Sequence, residues 1–455
     1  RHGRVKNQVK DHSDQNRTRL ILQHLKEYES RNITFMAEDH SWPIVWENAR
    51  GMYVRDVEGK RYLDLSAAFG VAACGHAPRE VVHAGISQMK KLMHAMGDVH
   101  PHEGKADLAK TLSQWTFERW TSKSQARAPL SLKGKVIFCN SGFEAVEAAL
   151  KSAHLATHKP SVIAFKGGYH GLGYGALSVT HRSHFREGFM NQLKSFGQFV
   201  VFPTNEVELS NSLNDVEKRL KKGNVGAVLL EPIQSRAGER IPADNFLTEL
   251  RRLCDTYSAC LVFDEIYTGF GRTGNWFACE HEGVIPDLIC VGKALTGGFP
   301  MSACIGRANL MDEAWPPSKG EAIHTSTFLG HPVGCAMALA QLKLLQRLNI
   351  AQAAQESGRV WLEQLKNAMK PWGKRIQIRG RGLMIGIEII NGDRKLSAQT
   401  VISWTAQLLE AGIIVLPTGD HGEVLGLSPP LIISNAQMKR ATGLLTKTLN
   451  QILPQ

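Results

Sequence analysis

The chain has 455 residues, 43% hydrophobic and 21% charged, with a formal net charge of +12. That apolar fraction supplies a buried core and excludes wholesale disorder, and the 42 glycines and 18 prolines fit neither a collagenous nor a low-complexity chain. No apolar run nears the ~20 residues needed to span a bilayer, and basic residues cluster only at the start (Arg1, Arg4, Lys6, Lys10, Arg17, Arg19), so neither a membrane nor a nucleic-acid partner is expected.

Eight cysteines, Cys74, Cys139, Cys254, Cys260, Cys279, Cys290, Cys304 and Cys335, contain no C-x-x-C pair and mostly sit in apolar runs. This reads as reduced, buried thiols, not a disulfide framework or a zinc site. A cytoplasmic location is expected. Because residue 1 is Arg, a cleaved targeting segment stays open as an alternative.

Residues 15–30 place Leu20, Ile21 and Leu25 on one face, which predicts an amphipathic helix. Two alternating segments around Glu58-Gly59-Lys60 predict a β-hairpin. Helical spacing returns over 79–95. Then the pattern changes. Short apolar runs at 136–139, 161–165, 226–230, 260–263, 287–291 and 302–305 alternate with helical stretches such as 143–157 and 246–257. That alternation predicts an α/β domain with a mainly parallel sheet. Such sheets bind ligands outside the carboxyl ends of their strands. After Pro332 come helical patterns at 333–348 and 354–369, a strand at 382–390, a helix at 398–411, and β-runs at 413–416 and 431–433. The expected division has three parts. Residues 1–75 contribute to a small domain, 76–331 form the large domain, and 332–455 supply a connecting helix and the rest of the small α+β domain.

Chemistry is therefore sought at the strand ends. The first run leads into Asn140-Ser141-Gly142-Phe143, which opens a strong helix. The free N–H groups there and the positive end of the helix dipole make a site for phosphate. The second leads to Gly167-Gly168-Tyr169-His170-Gly171, where an aromatic between glycines can lie against a planar ligand. The third ends Leu230-Glu231-Pro232, a carboxylate at a strand end. The fourth ends Asp264-Glu265-Ile266-Tyr267. Adjacent residues in extended chain point to opposite faces, so the two acids should have different jobs. The fifth leads to Gly292-Lys293. A desolvated Lys has a lowered pKa and can form an imine with a carbonyl. Gly269-Phe-Gly-Arg-Thr-Gly274 satisfies G-x-G-x-x-G, but no helix opens at once, so a dinucleotide site is not expected. His281-Glu282 and His100-Pro-His-Glu103 lack the helical spacing of metal ligands. A phosphate cup, a stacking aromatic, a strand-end Asp and a buried Lys together match what pyridoxal 5′-phosphate requires.

At this point the chain resembles the class III pyridoxal-phosphate aminotransferases, of fold type I. The resemblance rests on residues 141–149, Tyr169-His-Gly171, Glu231-Pro-Ile-Gln234, Asp264 through Gly274, Lys293 and Ser326-Thr-Phe328, in register over 45–450. It implies a large domain with a seven-stranded, mainly parallel sheet and a smaller α+β domain. It implies a ping-pong aminotransferase moving an amino group from an amine or amino acid to a keto acid. A racemase, epimerase or aminomutase of the same family is the alternative. Lys293 would be the imine former and proton carrier, and Asp264 the partner of the pyridine nitrogen. Ser141, Gly142 and Phe143 would hold the phosphate. Tyr169 and Ile266 would bracket the ring, with His170 beside it and Glu231 and Tyr267 near its phenolic side. Thr327 would reach the phosphate across a homodimer interface, a tetramer being open as a larger assembly. Ser326 would lie near the substrate.

Three departures bear on specificity. Tyr267 stands where the family commonly has Gln. Leu172 and Gly426 stand where relatives acting on acetylornithine or 4-aminobutyrate often place carboxylate-binding Arg residues. Arg236 or Arg240 is then the candidate substitute, since Arg is the preferred bidentate carboxylate partner. Donors with one carboxylate, or with an amine distant from it, are expected to outperform glutamate.

Overall fold

In the computed structural model, residues 17–38, 41–122 and 132–454 are described. The basic residues Arg1, Arg4, Lys6 and Lys10 lie outside them. The large sheet has seven strands. From edge to edge they are Gly134–Cys139, Ser302–Arg307, Leu288–Val291, Cys260–Asp264, Val225–Leu230, Ser161–Phe165 and Gly197–Val200. Only Ser302–Arg307 runs against its neighbours. The remaining pairings are parallel. Helices cover both faces, so the central strands are apolar throughout, and every residue of Val225–Leu230 is buried. The chain is thus an α/β protein with a mainly parallel seven-stranded sheet, the layout that the resemblance to fold type I implies.

The helix Gly142–Thr157 starts where the sequence supplies a capping pair. Glu144 accepts from the N–H groups of Asn140 at 2.9 Å and Ser141 at 2.7 Å, and from the Ser141 hydroxyl at 2.9 Å. It ends at His158 in the left-handed conformation. The helix Phe246–Tyr257 buries Phe246, Leu247, Leu250, Leu253 and Cys254, the i, i+4, i+7 stripe expected of a covering helix. The connecting helix Pro332–Arg347 opens with Pro at its first turn, and His331 Nδ1 accepts from Val333 N at 3.2 Å.

Two small sheets complete the fold. The strands Trp46–Arg50, Tyr53–Asp56 and Arg61–Asp64 form an antiparallel set, which the C-terminal strand Ile413–Ile414 joins in parallel through Leu63 and Asp64. The other sheet pairs Ile376–Arg381, Met384–Ile389, Val424–Leu427 and Leu416–Thr418, all antiparallel.

Several elements differ from the sequence pattern. The helix expected over 15–30 ends at Tyr28, residues 15 and 16 lying outside the described residues, and the helix expected over 79–95 ends at Lys91. The apolar run 413–416 divides between two sheets. Residues 431–433 form no strand; the strand is Val424–Leu427, where Gly426 interrupts the apolar signal. Ile376–Arg381 and the edge strand Gly197–Val200 were not legible as apolar runs, because each alternates with Gly and polar residues. All eight cysteines are buried and unpaired. Among the described residues no helix is long and apolar enough to cross a membrane.

Candidate active site

The carboxyl ends of the parallel strands converge on a cavity of about 620 Å³. Lys293 follows the fully buried strand Leu288–Val291 and opens a single 3-10 turn, Lys293–Leu295. Its Nζ lies 5.0 Å from the centroid of the Tyr267 ring. Burial pushes the Lys293 ammonium below its ordinary range, while the charges of Asp264 and Glu231 pull the other way and Arg236 adds to the lowering. Lys293 is therefore easier to deprotonate than a surface lysine.

Asp264 ends the strand Cys260–Asp264 and is 4% exposed. Its Oδ2 lies 2.7 Å from His170 Nδ1, and its Oδ1 accepts from Ile266 N at 3.1 Å. An ionised Asp264 requires the hydrogen of His170 on Nδ1. The other ring nitrogen, His170 Nε2, is buried with no hydrogen-bond partner among the described residues. Glu265, one residue on, turns to the scaffold. It accepts from the Thr268 hydroxyl at 2.5 Å and from the N–H groups of Ala278 and Cys279 at 2.8 Å each. Burial pushes it up to about 7 against those hydrogen bonds. One acid faces the cavity and the other ties the following turn.

Glu231 is buried beside them. It accepts from Tyr169 N at 3.0 Å and from Ser235 N and Oγ at 3.1 Å each. Burial raises its pKa; the charge of His170 opposes this and that of Asp264 adds to it. Glu231 thus fixes the Tyr169 backbone.

At the other end of the cavity the N–H groups of Gly142 and Phe143 open a helix and lack intrahelical acceptors. The site is tight there. A Cβ on Gly142 would stand 3.1 Å from Ile266 Cδ1, and Ser302 Oγ donates to the Ser141 carbonyl at 2.5 Å. Tyr267 is packed by Gly70, whose φ is +80° and whose Cβ would meet the ring at 3.3 Å.

Ten residues singled out from the sequence line this cavity: Ser141, Gly142, Phe143, Tyr169, His170, Glu231, Asp264, Ile266, Tyr267 and Lys293. Leu172 lines it too. Ser326 and Thr327 do not. Both are exposed, and Ser326 Oγ lies 3.4 Å from Asn140 Nδ2. Arg236 and Arg240 do not line it either: Arg236 is exposed and stacks its guanidinium 4.4 Å from the Tyr169 ring centroid, whereas Arg240 pairs with Asp420 at 2.9 Å. Val71 and the stretch Gly298, Phe299, Pro300 and Met301 also line the cavity and were missed. The Gly-Gly-Phe-Pro after Lys293 is a loop signal that could have found the latter. The run Gly269–Gly274 is turn, and its Arg272 is buried, donating to the carbonyls of Leu383 and Pro429.

A buried amine, a carboxylate held by an imidazole, a flat aromatic and an open helix N-terminus fit a phosphorylated pyridine aldehyde. The sequence model of one family, aminotransferase class-III, matches residues 34–449. The chain belongs to this family. It is 36% identical over 403 residues to an acetylornithine aminotransferase from Methanosarcina mazei, covering 89% of this chain and 91% of that protein. It is 31% identical to a 5-aminovalerate aminotransferase from Pseudomonas aeruginosa, covering 90% and 94%. Among solved structures it is similar to an amine transaminase from an uncultivated Pseudomonas species, in a pyridoxal-phosphate-bound form, with TM-score 0.81, 25% identity and coverage of 92% and 97%. This class III aminotransferase depends on pyridoxal 5′-phosphate and acts on an amine or amino acid and a keto acid. The racemase and aminomutase alternative is not favoured, because the named relatives are aminotransferases.

Proposed function

We propose that this aminotransferase takes donors with a single carboxylate, or with an amine distant from it, and pyruvate-like acceptors, by a ping-pong mechanism. The carrying observation is the pair of arginines after Glu231. Arg240 is neutralised by Asp420, while the Arg236 guanidinium stacks on Tyr169 with no acidic partner among the described residues. Leu172 and Gly426 offer no cation, so Arg236 is the one we assign to a substrate carboxylate. In Arg236→Ala, kcat/KM for monocarboxylate donors should fall roughly 10- to 100-fold, the scale of lost hydrogen bonds to a charged group. Comparing mono- and dicarboxylate pairs checks it. A strong glutamate preference in the wild type that collapses in the variant would overturn the monocarboxylate reading.

Bound pyridoxal phosphate supplies an electron sink for bond breaking at the substrate carbon. The chain's own residues do the rest in our reading. Asp264, aligned by His170, would hold positive charge at the ring nitrogen. Gly142 and Phe143 offer N–H groups to the phosphate, beside the Ser141 cap. Tyr169 and Ile266 would bracket the ring, and Glu231 and Tyr267 would serve its phenolic side. Lys293 Nζ takes the proton from the carbon bearing the amino group, a general-base step suited to a lowered pKa.

The proposal includes a homodimer. Thr327 and Ser326 lie outside their own chain's cavity, and Ile323 and Phe328 beside them are 75% and 56% exposed. Exposed apolar side chains around a residue assigned to the phosphate support a two-fold interface that brings Thr327 of the partner subunit to the site. Thr327→Ala should weaken cofactor retention by about 1.5–3 kcal/mol. Titrating cofactor into stripped protein measures this, and sedimentation of a fully active monomer would contradict it. The three-part domain division at 75 and 331 belongs to the same reading, as does a cytoplasmic location, which the unpaired cysteines support.

A further inference from the structure

The turn that carries Arg236 ends in a strained residue. Glu239 has φ +48° and follows Gly238 at φ +102°. A non-glycine residue in the left-handed region persists only where its surroundings fix it. The side chain of Glu239 is 3% exposed and packs into the C-terminal sheet. Gly386 and Gly426 are register partners on adjacent strands of that sheet. A Cβ on Gly426 would stand 2.8 Å from Glu239 Oε1, and one on Gly386 3.0 Å from Oε2. The paired glycines therefore make a notch, and the carboxyl group fills it.

Within the notch the Thr418 hydroxyl donates to Glu239 Oε2 at 2.8 Å. Burial pushes this carboxyl up to about 8, against the Thr418 hydrogen bond and the charge of Arg379, with Glu231 adding to the rise. Burial at this seat thus favours the neutral acid over the carboxylate. Further ties hold the same turn. Arg379 Nε donates to the Gly238 carbonyl at 2.8 Å, and Gly419 N donates to the Arg236 carbonyl at 3.0 Å. Gln234 and Arg240 exchange backbone hydrogen bonds of 3.0 and 2.9 Å. Only the Arg236 side chain stays outside, over Tyr169.

We propose that Glu239 is a positioning residue: seated in the Gly386–Gly426 notch, it latches the Gln234–Arg240 turn so that Arg236 presents its guanidinium to the substrate carboxylate. This rests on the reading of Arg236 given above. With no acidic partner among the described residues, Arg236 is placed by the turn and by stacking on Tyr169 and Phe185. Losing the latch should loosen carboxylate recognition and leave amine chemistry intact.

The test compares alanine with isopropylamine, which replaces the carboxylate by a methyl group, in single-turnover half-reactions of the holoenzyme. Calorimetric binding of propionate gives a readout independent of turnover. Glu239→Ala should raise the alanine half-saturation and the propionate Kd about tenfold, with the limiting rate and the isopropylamine reaction unchanged within about twofold. Gly426→Ala, whose new methyl meets Glu239 Oε1, should do the same from the opposite side and covers a failure of the first variant to fold. Glu239→Gln keeps a neutral, hydrogen-bonding group in the notch and should behave as wild type. Equal losses with both amines, or no change in propionate binding in Glu239→Ala and Gly426→Ala, would overturn the latch. If Arg236→Ala also leaves propionate binding unchanged, the Arg236 reading fails with it. If Arg236→Ala weakens propionate and the Glu239 and Gly426 variants do not, the latch alone fails.

Discussion

Lys293→Ala is expected to lower turnover by more than about 1000-fold while the protein keeps its fold. The expected loss combines a general base, worth ~10²–10⁴ by itself, with the covalent anchorage of the cofactor. Stability should not suffer. Lys293 is buried and its ammonium is disfavoured by desolvation, and among the described residues it donates no hydrogen bond that the variant would leave unpaired on a partner. Removing it relieves a desolvation cost and opens a small space in a site that is already a cavity. The check is kcat with the best donor, paired with a thermal melt of the same preparation. Wild-type-like turnover without any added amine would refute the assignment of Lys293.

Asp264→Asn and Asp264→Ala are expected to cost about 100- to 1000-fold in kcat, the scale seen when one preorganised charge partner is removed from a reacting site. The two variants separate charge from geometry. Asn keeps an acceptor for Ile266 N, which Asp264 Oδ1 now serves at 3.1 Å, but it carries no charge toward the ring nitrogen or toward His170. Both should therefore lose activity, and Asn should lose less stability than Ala. Activity retained within a few-fold would mean another acid holds the ring. Glu265 is poorly placed for that, because Thr268, Ala278 and Cys279 already occupy its carboxylate.

The cofactor end of this site was legible for a physical reason. A central parallel strand is covered on both faces, so it reads as a short apolar run, and the first polar residues after it mark the edge where ligands bind. Asp264 follows four fully buried residues and Lys293 follows another four. The alternation of side chains along an extended chain is enough to separate Asp264 from Glu265 in the sequence. The small-residue turn Asn140-Ser141-Gly142 marked the start of the helix, and Glu144, three residues after Ser141, closes it with the hydrogen bonds of a capping box.

The substrate end was less legible. Arg236 and Arg240 are equivalent on paper, and only the fold brings Asp420, 180 residues away in sequence, to one of them. Glu239 carries no sequence signal. Its burial depends on two glycines that meet across strands, and one of those strands, Val424–Leu427, was itself hidden by Gly426. Thr327 stands apart from the cavity of its own chain and Ser326 meets only Asn140 at its rim, so one chain alone gives neither residue a place in the site.

The central claim is amino-group transfer at Lys293, and a half-reaction tests it most directly. Purified holoprotein is mixed with a single enantiomer of an amino donor and no acceptor, and the keto product and aminated cofactor are quantified after one turnover. One equivalent of each per site, followed by restoration of the starting absorbance on adding pyruvate, is the expected result. Loss of the donor's optical purity with no keto product and no aminated cofactor would contradict it and point to racemisation instead.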